Sequence, residues 1–345
     1  MTNSEKPRIL IIYTGGTIGM VETADGLQPF DFSHLMDNVP KVGQLGYQID
    51  SVQFSQPIDS SNMSPAYWNM IVKDIADRYD QYDGFVVLHG TDTMAYTASA
   101  LAFMLRNLRK PVVITGSQLP IGDTREDGTE NLIAALQVAA AKDDNGDPMI
   151  QEVVISFQDY IVRGCRSTKF TSTGFHAFKS FNYPVLGTID LHIEYAKPYL
   201  LRHQTAEPLN PFYSLDPSVL VMWLFPGISE SVVKAQLATP GIKAVVLRTF
   251  GAGNAPTEQW FLDALSDAVG RGLIIYNVTQ CQNGGDEQKR YYTGDMLAKA
   301  GVISGYDITV EAAVTKLMYL LGAGLTSDQI KEYLGISIVG EITVG

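Results

Sequence analysis

The feature that most constrains this chain is a series of short apolar runs rich in Val and Ile. They are Arg8–Tyr13, Gly84–Leu88, Pro111–Thr115, Glu152–Phe157, Val219–Phe225, Ala244–Thr249 and Leu273–Val278. Most are apolar almost throughout rather than alternating. Strands of a parallel sheet covered on both faces carry that signature. Helical stretches lie between them, at Pro65–Tyr79, Thr93–Leu108, Glu130–Lys142, Thr257–Gly270 and Val310–Leu321. The first has Ser64 at its N-cap and Pro65 at its first position, where a missing N–H leaves no helical bond unmade. Strands alternating with helices predict βαβ units and a doubly wound α/β fold.

A chain of 345 residues exceeds the roughly 250–300 residues of a single core, so two domains are expected. The stretch Tyr195–Pro217 changes character, with Pro198, Pro208, Pro211 and Pro217, polar residues and little periodicity. We therefore expect a larger N-terminal doubly wound α/β domain over 1–195, a linker over 196–217 and a smaller C-terminal α/β domain over 218–345.

Composition narrows the functional classes. A hydrophobic fraction of 46% with 18% charged residues excludes a mainly disordered chain. The net charge of −12 and the lack of a basic stripe argue against a nucleic-acid partner. Cys165 and Cys281 lie far apart and form no CxxC pair, which fits a reducing compartment. The segment Met1–Pro7 is polar and has no apolar h-region, and no run approaches the roughly 20 apolar residues of a membrane span. The expectation is a cytoplasmic protein with no membrane partner.

Open α/β sheets bind ligands at the carboxyl ends of their strands. The residues that follow the expected strands are Thr14-Gly15-Gly16-Thr17-Ile18-Gly19, His89-Gly90-Thr91-Asp92-Thr93, Thr115-Gly116-Ser117-Gln118 and, past a short hairpin-like piece, Arg163 to Lys169. The first is no dinucleotide fingerprint, because Thr14 stands where the first of three glycines is required, and no acidic residue follows a second strand about 20 residues on. No Walker A loop, HExxH, G-x-S-x-G or Cys/His cluster is present, and His34, His176, His192 and His203 lack metal-ligand spacing.

What these segments offer is hydroxyls beside ionisable groups. Threonine is a weak nucleophile until a base or charge activates it. Thr91, Asp92 and Lys169 would make a hydrogen-bonded relay if the fold brings them together, since a partly desolvated lysine can serve as a base. The bland alternatives are tight-turn chemistry at Thr14, helix capping at Thr91 or Asp92, and a solvated surface Lys169. His89 reads as a packing and hydrogen-bonding residue.

Taken together, the segments resemble the bacterial-type L-asparaginases, in their cytoplasmic type I branch. Two motifs carry the resemblance: Tyr13-Thr14-Gly15-Gly16-Thr17-Ile18-Gly19, and Gly84-Phe85-Val86-Val87-Leu88-His89-Gly90-Thr91-Asp92-Thr93-Met94. Asp59 to Met63, Thr115 to Pro120, Arg166 to Lys169, Gly251 to Asn254 and Gly301 to Gly305 agree with it, over roughly Arg8 to Glu341. The resemblance implies a large and a smaller α/β domain and hydrolysis of L-asparagine to L-aspartate and ammonia, with no metal or organic cofactor.

It also implies roles. Thr14 would be the nucleophile, forming a β-aspartyl ester, and Thr91, Asp92 and Lys169 would manage protons. Backbone N–H groups near Thr91 and Ser117 would form the oxyanion hole. Ser60 and Ser61 would hold the α-carboxylate, and Asp92 with Asp59 the α-ammonium. Asn254 would reach a neighbouring subunit's site in a homodimer or homotetramer. Arg248, Thr279 and Cys281 match an allosteric site that takes asparagine as effector, and Arg suits a carboxylate bidentately. Many relatives carry a catalytic tyrosine soon after the first motif, but Leu27 stands there in this chain. The matching tyrosine would be Tyr291, with Tyr292 as its rival, and both could instead pack at an interface. Two other readings are an amidotransferase subunit, whose additional N-terminal domain would find no room before Thr14, and a non-catalytic amino-acid sensor built on Arg248.

Overall fold

The computed structural model describes residues 6–23, 26–29, 39–202, 207–286 and 292–344, apart from the side chains of 21–23, 26–29, 292 and 293. The chain divides into two compact units, Met1–Ser180 with Pro184–Tyr213, and Phe181–Tyr183 with Ser214–Gly345. The long break thus falls inside the proline-rich stretch. Assignment of Phe181–Tyr183 to the second unit had no signal in the sequence.

The N-terminal unit is built on one mixed sheet. Its strands are β1 (Arg8–Gly15), β2 (Gln48–Ile58), β3 (Gly84–Leu88), β4 (Val112–Thr115), β5 (Val153–Phe157), β6 (Tyr160–Arg163), β7 (Gly187–Ile189) and β8 (Ile193–Tyr195). In space they run β2-β1-β3-β4-β5-β6-β7-β8. The first five are parallel, and β6 to β8 extend the sheet antiparallel. β3, β4 and β5 are buried along their whole length, as is β1 after Arg8. Their continuous apolar sequences follow from coverage on both faces.

β2 was not among the expected strands. It lies at the sheet edge and is mostly exposed or half-buried, with only Phe54 buried. An edge strand needs no apolar run, and it tolerates Pro57 near its end.

The order β2-β1-β3-β4-β5 has a consequence for function. The chain leaves β1 in one direction to reach β2, then crosses back to β3 and continues the other way. A crevice opens at the carboxyl ends of the two strands where the winding reverses, here β1 and β3.

The unit has the helices α1 (Pro65–Ala76), α2 (Met94–Met104) and α3 (Gly128–Ala140), of which α2 and α3 pack on the sheet and α1 on α2. In α2 only Tyr96 and Ala102 are not buried. A helix buried all round has no solvent face, so its polar residues must bond internally. Ser99 Oγ accordingly donates to the Ala95 carbonyl at 2.8 Å.

The C-terminal unit has a four-stranded parallel sheet of β9 (Val219–Trp223), β10 (Ala244–Thr249), β11 (Ile274–Thr279) and β12 (Ile303–Ser304), in sequential order. Met222, Leu247, Phe261, Leu265 and Ile275 lie at its core. Its helices are α4 (Glu230–Leu237), α5 (Gln259–Gly270), α6 (Tyr292–Lys299), α7 (Val310–Gly322) and α8 (Ser327–Leu334). α4, α6 and α8 were not expected from the sequence. Each has 8 residues, too few turns for a clear apolar period. No helix among the described residues is long and apolar enough to cross a membrane.

Candidate active site

The carboxyl ends of β1 to β4 converge because glycines let their loops touch. A Cβ on Gly15 would lie 2.2 Å from the Ile58 carbonyl oxygen, at the end of β2. One on Gly16 would lie 2.5 Å from the Gly90 nitrogen, and one on Gly116 2.2 Å from the His89 carbonyl oxygen. Gly15 and Gly16 also take φ of 128° and 89°, which side-chain-bearing residues rarely adopt. The loop after β1 closes on itself through Tyr13, whose hydroxyl donates to the Gly19 carbonyl at 3.0 Å. Burial pushes that phenol up to about 12.

Thr14 lies at the end of β1, 1% exposed, and its Oγ1 donates to the Leu88 carbonyl at 2.9 Å. Its hydroxyl therefore rests against the end of β3, at the reversal of the sheet. Thr91 and Asp92 occupy the turn between β3 and α2. Neither side chain caps the helix, because Thr93 stands at the N-cap and its hydroxyl donates instead to the Ser60 carbonyl at 2.6 Å.

Lys169 reaches the same turn from the far end of the parallel set. The β5–β6 hairpin leads into a turn over Gly164–Arg166, packed so closely on α2 that a Gly164 Cβ would meet Ala98 at 3.0 Å. A two-strand ribbon follows, pairing Thr168–Lys169 with Phe178–Lys179. Lys169 Nζ then donates to Thr91 Oγ1 at 2.8 Å and to Asp92 Oδ1 at 2.7 Å. The lysine side chain is only 16% exposed, while Asp92 remains open at 67%. The fold thus brings together the three residues of the expected relay.

The hairpin that delivers Lys169 is fastened by a buried ion pair. Arg163 Nε donates to Glu152 Oε2 at 2.6 Å, and a second guanidinium nitrogen lies 3.4 Å from Oε1. Both side chains are under 5% exposed. Removing one partner of such a pair strands a buried charge.

Asp59, Ser60 and Ser61 follow β2. Asp59 Oδ1 accepts from the backbone N–H and the hydroxyl of Ser61, each at 2.8 Å. Those two bonds hold its carboxyl below the usual carboxylate range, so it stays ionised. Ser60 is buried. Ser117 is also buried, and its Oγ has no hydrogen-bond partner among the described residues.

His89 is structural. Its Nδ1 faces the Gly90 carbonyl at 2.6 Å, which can only accept, so Nδ1 carries the proton. Burial pushes the imidazole down to about 4, so it is neutral and Nε2 accepts from Thr97 Oγ1 at 2.8 Å. That hydroxyl accepts in turn from the Trp68 indole at 2.9 Å. This chain fixes the turn that carries Thr91.

The remaining expected residues lie in the C-terminal unit or outside the described residues. Arg248 and Thr279 are buried at the carboxyl ends of β10 and β11, and Cys281 is exposed beyond β11. The Arg248 guanidinium lies 4.8 Å from the Trp223 ring centre. The Thr279 hydroxyl donates to the Gly251 carbonyl, and the Cys281 N–H to that hydroxyl at 3.0 Å. Asn254 closes the 250–254 loop by backbone bonds to Phe250. Tyr291 lies outside the described residues. Tyr292 opens α6, and its side chain is not described. The sequence reading missed the supports of the site, Gln118, Asp127 and Asn131. Gln118 stood inside a quoted motif, but nothing in the pattern marked its partners.

Comparison with known proteins shows the family of the chain. The family described as Asparaginase, N-terminal, matches residues 8–200. The family described as Glutaminase/Asparaginase C-terminal domain matches residues 218–334. The chain is 42% identical to L-asparaginase 1 of Escherichia coli strain K12, over 98% of this chain and 99% of that protein. It superposes on the crystal structure of L-asparaginase I from Vibrio cholerae with a TM-score of 0.89 at 41% identity, covering 98% of this chain and 100% of the other. The thermostable L-asparaginase of Thermococcus kodakarensis gives a TM-score of 0.86 at 34% identity, over the same shares.

Proposed function

Because the chain belongs to the asparaginase family through both of its domains, we propose that it hydrolyses L-asparagine to L-aspartate and ammonia with Thr14 as nucleophile. The observation that carries the reading is Lys169 Nζ bonded to both Thr91 and Asp92, at the sheet reversal that also holds Thr14.

Thr14 Oγ1 attacks the side-chain amide carbon of asparagine, and its proton passes toward Thr91 and Lys169. The charge that develops on the amide oxygen is met by backbone N–H groups near Thr91 and Ser117. The tetrahedral species collapses with protonation of the amide nitrogen. Ammonia leaves, and the β-aspartyl ester remains on Thr14. Water, activated by the same relay, cleaves the ester and releases aspartate.

Substrate is held by its own charges. Ser60 and Ser61 receive the α-carboxylate, and Asp92 with Asp59 the α-ammonium. The exposed Asp92 carboxylate and the ionised Asp59 support that assignment. The unpartnered Ser117 hydroxyl is free to bond to the substrate. Asn254 is assigned to a neighbouring subunit's site in a homodimer or homotetramer, and Tyr291 to the later proton steps. Arg248, Thr279 and Cys281 form a second asparagine site that activates the enzyme, with Arg248 taking the effector's carboxylate. The enzyme works in the cytoplasm.

Steady-state ammonia release over a wide range of asparagine and glutamine tests this reading. Thr14→Ala should lower turnover by about a thousandfold or more, as expected for loss of a nucleophile. Unchanged turnover would overturn the assignment. A sigmoidal response to asparagine supports the second site, and a hyperbola at every enzyme concentration removes it.

A further inference from the structure

We propose that Gln118 is a positioning residue that holds the Thr91 O–H and so turns a lone pair of that hydroxyl toward Lys169. The proposal rests on the reading that Thr91 and Lys169 handle the proton transfers.

The Gln118 carboxamide has one orientation that satisfies its neighbours. Its Nε2 lies 2.9 Å from the Gly174 carbonyl, which can only accept. The other end, Oε1, therefore faces Thr91 Oγ1 at 3.1 Å. A carbonyl oxygen cannot donate, so the Thr91 hydroxyl must. Its lone pairs are then left for Lys169, which donates to it at 2.8 Å. The bonds run in one sense, from Lys169 to Thr91 to Gln118 to Gly174. Bonds aligned in this way polarise one another.

The backbone of Gln118 is fixed as firmly. Its N–H donates to both carboxylate oxygens of Asp127 at 3.0 Å, and the Leu119 N–H donates to one of them at 3.1 Å. Asp127 is buried and also accepts from Asn131 Nδ2 at 3.2 Å. The same amide group of Asn131 donates to the Gly116 carbonyl at 2.9 Å. The start of α3 thus clamps the Gly116–Leu119 turn, and the turn presents the amide to Thr91. Without it, the Thr91 side chain loses the contact that selects its hydroxyl direction.

The test compares Gln118→Met and Gln118→Glu with Thr91→Ala, reading kcat and KM for asparagine and the pH profile of kcat/KM. Both Gln118 variants lose the donor to Gly174, so their difference reports the bond to Thr91. Gln118→Met should lower kcat about tenfold, the worth of one ordinary hydrogen bond, with KM within about twofold. Gln118→Glu restores an acceptor for Thr91 and should recover most of kcat at high pH. Its pH profile should differ from the parent's, because the substitution adds an ionisable carboxyl beside Thr91. In a Thr91→Ala background, Gln118→Met should cost nothing further.

The outcomes separate. Parental kcat and pH profile in both Gln118 variants, with turnover lowered but measurable in Thr91→Ala, would overturn the positioning role and leave the relay standing. A further tenfold loss in the Thr91→Ala background would also overturn it, since Gln118 would then act elsewhere. Parental turnover in Thr91→Ala would remove the relay itself, and the proposal with it.

Discussion

The two units place polar residues at the same address, the carboxyl ends of a parallel sheet, yet use them differently. In the N-terminal unit the winding reverses between β1 and β3, and the polar groups there differ in exposure. Lys169 is shielded and Asp92 is open. In the C-terminal unit the strands follow in sequence without a reversal. There Thr249, Asn277 and Asp286 bond to one another. Thr249 Oγ1 donates to Asn277 Oδ1 at 2.7 Å, and Asn277 Nδ2 to Asp286 Oδ2 at 2.8 Å. Asp286 Oδ1 presses on Gly253, where a Cβ would lie 2.0 Å away. The contrast teaches that the carboxyl edge of a parallel sheet can carry an exposed polar cluster where the strand order reverses and a hydrogen-bonded network where the order is sequential.

Both units also bury an ion pair, which gives the sharpest way to break the comparison. Arg163–Glu152 fastens the hairpin that leads to Lys169, whereas Lys316–Glu341, 2.7 Å apart and fully buried, ties down the C-terminal tail. Glu152→Ala should destabilise the protein by about 3–5 kcal/mol in denaturant titrations, and Glu341→Ala by a similar amount. Only the first should also lower turnover in the surviving folded fraction.

Asp286 should respond to pH. Burial pushes its carboxyl up to about 6, from the usual 3.8. Below about pH 4 both folded and unfolded chains hold the proton, and nothing is lost. Between 4 and 6 only the unfolded chain releases it, so stability falls as pH rises, and above 6 the full penalty stands. Asp286→Asn should therefore stabilise the protein by about 1–3 kcal/mol at pH 8, with no gain by pH 4. His89 has the opposite slope. Its imidazole sits at about 4 against the usual 6.5, so its contribution is complete above 6.5 and lost as pH falls through 4.

An effect of similar size is expected at Thr97. Thr97→Val keeps the shape but leaves the Trp68 indole without an acceptor and His89 Nε2 without a donor. The cost should be about 1–3 kcal/mol in thermal unfolding. Turnover should fall only as far as the Gly90–Thr91 turn loosens.

Much of this was legible in the chain. β3 and β10 have the bounds that the apolar runs predicted, because strands buried on both faces write their length directly into sequence. β2 was not legible, since an edge strand carries no continuous apolar signal, and yet it leads into Asp59–Ser61. α4, α6 and α8 were too short to show a period. At the site, Thr14, Thr91, Asp92 and Lys169 were readable as residue types after strands. The part of Gln118 was not, because its bonds run to Thr91, Gly174 and Asp127, which no spacing links.

The sequence by itself determined the alternation of strands and helices, the two-domain division and the inventory of hydroxyls, carboxylate and lysine. Those follow from local pattern and composition. Only the tertiary structure decided that the sheet reverses between β1 and β3, that Lys169 meets Thr91 and Asp92 from 77 or more residues away, and that His89 carries its proton on Nδ1. Strand order and hydrogen-bond direction depend on which distant groups become neighbours, and those neighbours exist only after the chain has folded.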